Sequence, residues 1–272
     1  MNIKYFWINI DKSQDRRLFM EEQFKVKEID NQRISAVTPE TLEGILEDKP
    51  PFYCGNECCL NNGCSDCKFE YSCTCSHLEA IKEGYKSGAE YFVVCEDDIY
   101  FPFKIDYDKM IKTLPQDFDI VQLMVLDVDG NNILYDDYHK NRKVLFISFD
   151  PSKRLFSTGM YLISRRGAKK LLNLCINKKT LKYDFSEINT VRQADFFLYM
   201  NVKTFTSTFP FCYPSLIFIS EIHPHHYYLH KSSIEKIISI INDNQLLHPF
   251  IIDYYPFDNF MNYYKGLLKL DN

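Results

Sequence analysis

Short apolar runs alternate with segments of helical periodicity along most of the chain, and this alternation narrows the possible folds more than any other feature. Tyr5–Ile10 reads as a strand, and Asp15–Lys27 has helical spacing with Leu18, Met20 and Phe24 set among charges. Arg33–Val37 is a second extended piece, and residues 38–72 read as irregular. Ser76–Ser87 reads as a helix with Ser76 as N-cap, Glu79 completing a capping box and Gly88 as the stop. Ala89–Cys95 follows as a buried strand, then a helix over Asp106–Leu114 and strands over Phe118–Leu126, Val144–Phe149 and Phe156–Ile163. Helices are expected over Arg165–Cys175, from about Asp195, and over Ser232–Asn242, where Ile234, Ile237, Ile238 and Ile241 share a face. The aromatic-rich last thirty residues are expected to pack back on the body. Strands alternating with helices predict an α/β layered fold with a mixed, mostly parallel sheet.

Composition removes several classes of function. The net charge is −5, so no broad basic field makes nucleic acid a default partner. No apolar run approaches the roughly 18 residues of a membrane span. The N-terminal apolar stretch stops at Asp11, too soon for a secretory leader, so the expected compartment is the cytoplasm, or a host's if the chain is viral.

Cysteine is clustered: seven of the ten lie between Cys54 and Cys75. The cluster holds one Cys-x-x-Cys pair (Cys64, Cys67) and one Cys-x-Cys pair (Cys73, Cys75). Read as a loop, residues 54–75 need either a structural zinc or disulfides, and the spacing does not choose. Cys95, Cys175 and Cys212 stand in apolar stretches and are expected as core thiols.

The stretch richest in chemistry is Glu96-Asp97-Asp98, directly after an apolar strand. In an extended chain Glu96 and Asp98 face one side and Asp97 the other. Such an oxygen pair suits Mn²⁺ or Mg²⁺, which keep open coordination sites for phosphate. An acidic turn capping a strand is the plainer alternative. In open α/β sheets ligands sit at the carboxyl ends of strands, which is where these residues fall.

Ser72-Cys73-Thr74-Cys75-Ser76-His77-Leu78-Glu79-Ala80-Ile81, followed by the strand into Glu96-Asp97-Asp98, resembles glycosyltransferase family 25. Asn9-Ile10-Asp11 with Asp15-Arg16, Arg33-Ile34-Ser35-Ala36-Val37, and Ser157-Thr158-Gly159-Met160 running on to Gly167-Ala168-Lys169-Lys170-Leu171 are similar to further family segments, in order. Ser72 stands where the family carries Gly, and the cysteine-rich insertion before it is unusual.

The resemblance implies a GT-A type, Rossmann-like fold across residues 1–272 as a single domain, with the cysteine-rich insertion at 54–75. It implies inverting transfer of a hexose, galactose or glucose, from a UDP-sugar. The acceptor would be hydroxylysine or galactosyl-hydroxylysine of a collagen-like protein, or a lipooligosaccharide-type glycan. Asp98 is then the direct metal ligand, Glu96 a second ligand or a ribose contact, and Asp97 a support behind them. Asp195, matching a later family motif, is the expected general base, with a helix N-cap as its plainer role. Asn9, Arg16, Ala36 and Val37 are expected around the nucleotide, and Ser76 and His77 near donor sugar or diphosphate because a helix N-terminus favours anions. Thr158 and Gly159 are expected toward the acceptor, and His225, in the histidine-rich run from His223, as a further metal ligand. The rivals are a non-catalytic or zinc-stapled binding module and a metal-dependent phosphohydrolase.

Overall fold

Period-two burial runs through the strands. On the first strand Tyr5 and Trp7 enter one apolar cluster, while Phe6 and Ile8 enter another on the opposite face. The computed structural model describes residues 2–47, 66–140, 144–188, 193–218, 227–244 and 248–268. Element order is β1 (Tyr5–Asn9), α1 (Gln14–Val26), β2 (Asn31–Ser35), α2 (Pro39–Ile45), α3 (Asp66–Lys86), β3 (Tyr91–Glu96), β4 (Ile99–Tyr100), β5 (Phe103–Ile105), α4 (Tyr107–Thr113) and β6 (Ile120–Gln122). Then come α5 (Val128–Lys140), β7 (Phe146–Ser148), β8 (Met160–Ser164), α6 (Arg165–Cys175), α7 (Ala194–Met200), β9 (Thr204–Ser207), β10 (Tyr213–Pro214), α8 (Tyr227–Asn244), β11 (Ile251–Tyr254) and α9 (Phe257–Leu267).

Among the described residues the main sheet has seven strands in the order β2-β1-β3-β8-β6-β9-β7. Strand β1 runs parallel to β2 and β3, and β6 parallel to β9. Strand β8 runs antiparallel to both its neighbours, and β7 antiparallel to β9. Five of the seven strands therefore share one direction. This is the mixed, mostly parallel sheet with flanking helices expected of a GT-A type domain. Helices α3, α6 and α7 cover one face through Leu78, Ile81, Leu171, Phe197 and Leu198. Helices α1, α8 and α9 contribute Phe19, Phe24, Ile237, Phe260 and Tyr264 to the other face. The C-terminal segment does return to the body: β11 pairs with β5, and Phe260 and Tyr264 meet Phe19 edge-on at 5.5 and 5.7 Å. No helix among the described residues is long and apolar enough to cross a membrane.

Helix α3 corrects the sequence reading. It starts at Asp66, so Ser76 is not an N-cap and Glu79 closes no capping box. Cys67, Tyr71, Cys75 and Leu78 form a buried stripe at helical spacing, each at most 4% exposed. Read as ligands, the cysteines hide that stripe; read as small apolar residues, they extend the helix by ten positions. Helix α2 replaces chain read as irregular, and α5 lies in a segment to which the sequence reading gave no element. Helix α2 starts with Pro39 behind Thr38, and α5 buries Leu134 and Tyr138 after a turn-like Asp-Gly-Asn-Asn run. Three strands are also clearly shorter than expected, since ladder pairing is confined to Ile120–Gln122, Phe146–Ser148 and Met160–Ser164.

Helix α3 lies close on the sheet at Gly84. A Cβ there would come within 2.2 Å of the fully buried Phe92 ring. Gly84→Ala is therefore expected to destabilise the fold by about 1–3 kcal/mol, the usual cost of an overpacked core. Thermal unfolding checks it, and an unchanged Tm would contradict this helix–sheet contact.

Candidate active site

The carboxyl ends of β1 and β3 and the amino end of β8 meet at one edge of the sheet. Cys95 pairs with Met160, and the Glu96 N–H donates to the Gly159 carbonyl at 3.0 Å. Strand β3 stops at Glu96, and Asp97-Asp98 form a turn rather than extended chain. Glu96 and Asp98 nonetheless line a common cleft with Ser157 and Gly159 and, from the C-terminal part of the chain, Ser215, His230 and Lys231. The Ser215 N–H holds the turn by donating to the Asp98 carbonyl at 2.6 Å.

Asp97 faces the other way. Its carboxylate accepts from Arg16 Nη1 at 2.8 Å and from Asn9 Nδ2 at 2.7 Å. The same Arg16 nitrogen lies 3.4 Å from Asp98 Oδ2, and its guanidinium sits over the Phe218 ring at 5.2 Å. Asn9 is 1% exposed, gives its amide to Asp97 and the Ser13 carbonyl, and accepts from Arg33 Nε at 2.9 Å. Asn9 and Arg16 thus brace the acidic turn from β1 and α1.

Glu96 is held from the opposite side. Its Oε1 accepts from Thr158 Oγ1 at 2.9 Å and lies 3.6 Å from His77 Nε2. The other ring nitrogen of His77 is 3.1 Å from the Tyr161 hydroxyl. His77 stands in the middle of α3, so the helix-N-terminus argument for an anion there does not apply. Ser76 accepts the Val37 N–H at 2.8 Å and donates to the Ser72 carbonyl, which clips the chain after β2 to α3. The Ala36 N–H donates to the Asn9 carbonyl, so Ala36 and Val37 lie next to Asn9.

The acidic turn is short of positive charge. Burial pushes Asp98 up to about 7; Arg16 opposes this, while the charges of Glu96 and Asp97 add to it. Burial also raises Asp97, against Arg16 and Asn9. Burial acts on Glu96 in the same sense, but the hydrogen bond and charge of His77, with Thr158 and Arg16, outweigh it and hold that carboxyl below its ordinary value. Three adjacent carboxylates with one guanidinium between them fit a divalent cation. Among the described residues no three His, Cys, Asp or Glu side chains gather into a closed cage. Glu96 and Asp98 are the two carboxylates of the turn that line the cleft.

Asp195 lies in the first turn of α7, where Gln193 and not Asp195 is the N-cap. It is half-buried, and burial together with the charges of Glu70 and Glu96 pushes its carboxyl up to about 6. His77 also acts on it, in the opposite sense, so α7 brings Asp195 into the electrostatic range of the Glu96 side of the site.

His225 and Cys54, Cys58, Cys59 and Cys64 lie outside the described residues. Cys67, Cys73 and Cys75 belong to a helix rather than a loop. Cys95, Cys175 and Cys212 are buried as expected. Sequence reasoning missed Ser157, whose φ of 142° is rare for a residue with a side chain and which lines the cleft. It also missed the cleft-facing start of α8: the isoleucine stripe shows which face is buried but not what the helix opposes.

A family model described as glycosyltransferase family 25 (LPS biosynthesis protein) matches residues 2–187. No curated protein matches the chain. Among solved structures, a Drosophila β-1,4-galactosyltransferase 7 mutant in complex with manganese, UDP-Gal and xylobiose is similar over 63% of this chain, at 12% identity and a TM-score of 0.29. The match spans about half of that protein, 52% of its chain.

Proposed function

The chain belongs to glycosyltransferase family 25 and is a glycosyltransferase, and from that premise we propose that it moves a hexose, galactose or glucose, from a UDP-sugar to an acceptor hydroxyl with inversion. The observation that carries the reading is the convergence of Glu96 and Asp98 on one cleft at the end of β3, with Asp97 turned away onto Arg16 and Asn9. A Mn²⁺ or Mg²⁺ held by Asp98 and Glu96 would offset the charge that builds on the departing diphosphate. Residues 1–272 act in this reading as one domain, and Asn9, Ala36 and Val37 form the nucleotide side.

The chain's own groups then have distinct tasks. His77 and Thr158 hold Glu96 in place through its Oε1, at the wall of the cleft. Arg16 opposes the upward push of burial on Asp97 and keeps the turn in place. Asp195 takes the proton of the acceptor hydroxyl as its oxygen bonds to the sugar's anomeric carbon. The bond from that carbon to the diphosphate oxygen breaks, and UDP leaves on the opposite face. A carboxyl near 6 is charged at neutral pH yet basic enough to accept a proton.

A donor screen tests the reading. UDP-galactose and UDP-glucose are each incubated with Mn²⁺ and with hydroxylysine, galactosyl-hydroxylysine or simple glycans. Acceptor-dependent UDP release with one preferred donor is expected. Absence of UDP release with every pair, together with no UDP binding, would overturn it.

A further inference from the structure

The charges in the cleft leave a deficit that one further residue of its lining can fill. Asp98 and Glu96 together neutralise a divalent cation, and Arg16 is engaged by Asp97 and Asp98. A diphosphate bound there, and more so one that gains charge as it departs, meets no surplus positive charge from these groups. We propose that Lys231 supplies it, as the lysine that contacts the donor diphosphate. The proposal rests on the UDP-sugar reading of this site.

Three observations point to Lys231. It lines the same cleft as Glu96 and Asp98 and is carried by a different element, α8. Ile234, three residues on and so on the same helical face, lines the cleft too and is 3% exposed. Ile237 and Ile241 continue that stripe into the core at 0% and 2% exposure, which anchors the helix that carries the lysine. The ammonium is also available. Its ion pair with Glu235 spans 4.0 Å, with both side chains about half exposed, and such a pair yields readily to a stronger anion. A compact ammonium on a flexible stem can follow the diphosphate as its charge grows, whereas Arg16 is fixed between two carboxylates and a ring.

The test is binding of UDP and of uridine, each with Mn²⁺, to wild-type protein and to Lys231→Ala, Lys231→Arg and Glu235→Gln, by calorimetry at low salt. Lys231→Ala is expected to weaken UDP by about 10- to 100-fold, the range for a charge-assisted contact, and to leave uridine unchanged. Lys231→Arg should recover most of the loss, and Glu235→Gln should bind UDP at least as tightly as wild type. Raising the salt should shrink the difference between wild type and Lys231→Ala. Unchanged UDP affinity in Lys231→Ala, or an equal loss for UDP and uridine, would overturn the role of Lys231 while leaving the transferase reading intact. Wild-type protein that fails to bind UDP would overturn the UDP-sugar reading itself, and the lysine's role with it.

Discussion

Asp195→Asn is expected to keep UDP affinity within about twofold of wild type and to lower transfer by roughly 10²- to 10⁴-fold, the span of a lost general base. The amide keeps the shape of the side chain and its place in the first turn of α7, so the fold should be unaffected. The pH dependence has a definite sign. Burial and nearby negative charge raise the carboxyl to about 6, and only its ionised form accepts a proton. Activity in kcat/KM should therefore rise with pH through about 6 and level off above it, and the variant's residual rate should lack that limb. Near-normal turnover in the variant would dismiss Asp195 as the base. A wild-type profile flat across this range would do the same.

Asp98→Asn should have an effect of comparable size on a different quantity. Removing the carboxylate is expected to abolish the Mn²⁺ dependence of UDP binding and to lower transfer by about 10³-fold, on the order of 4 kcal/mol of lost charge stabilisation. Metal-free protein should not lose stability with the change. Asp98 is half-buried beside Glu96 and Asp97, and Arg16, 3.4 Å away, is shared with Asp97. A neutral amide relieves like-charge crowding there. Lower activity with an unchanged or higher Tm would mark lost function rather than lost structure. Unaltered Mn²⁺-dependent UDP binding would remove Asp98 from the metal-binding role.

Much of the fold was legible because local patterns and tertiary burial agree. The spacing of Ile234, Ile237 and Ile241 anticipated α8, Arg165–Cys175 is α6 to the residue, and the apolar run before Glu96 is β3 in the middle of the sheet. The acidic turn was legible for the same reason, since three carboxylates after a buried strand must emerge at its end. Cysteine misled: it is both a ligand and a small apolar residue, and spacing read for the first use concealed the second in Cys67 and Cys75. The pairing of Ser76 with Glu79 fits a capping box equally at a helix start or by chance within one, and here α3 continues through both.

The sequence by itself determined which segments alternate between strand and helix, and therefore that Glu96 and Asp98 stand at the carboxyl end of a central strand. That information is local: it lies in the period of apolar residues and in which charges follow them. Only the tertiary structure decided which groups hold those carboxylates. Thr158 reaches Glu96 across 62 positions of sequence and Arg16 reaches Asp97 across 81, while Lys231 arrives at the cleft on a helix far along the chain. Such contacts follow from strand order and helix docking, which bring distant residues together through burial of apolar faces, and neither periodicity nor spacing within a segment encodes them.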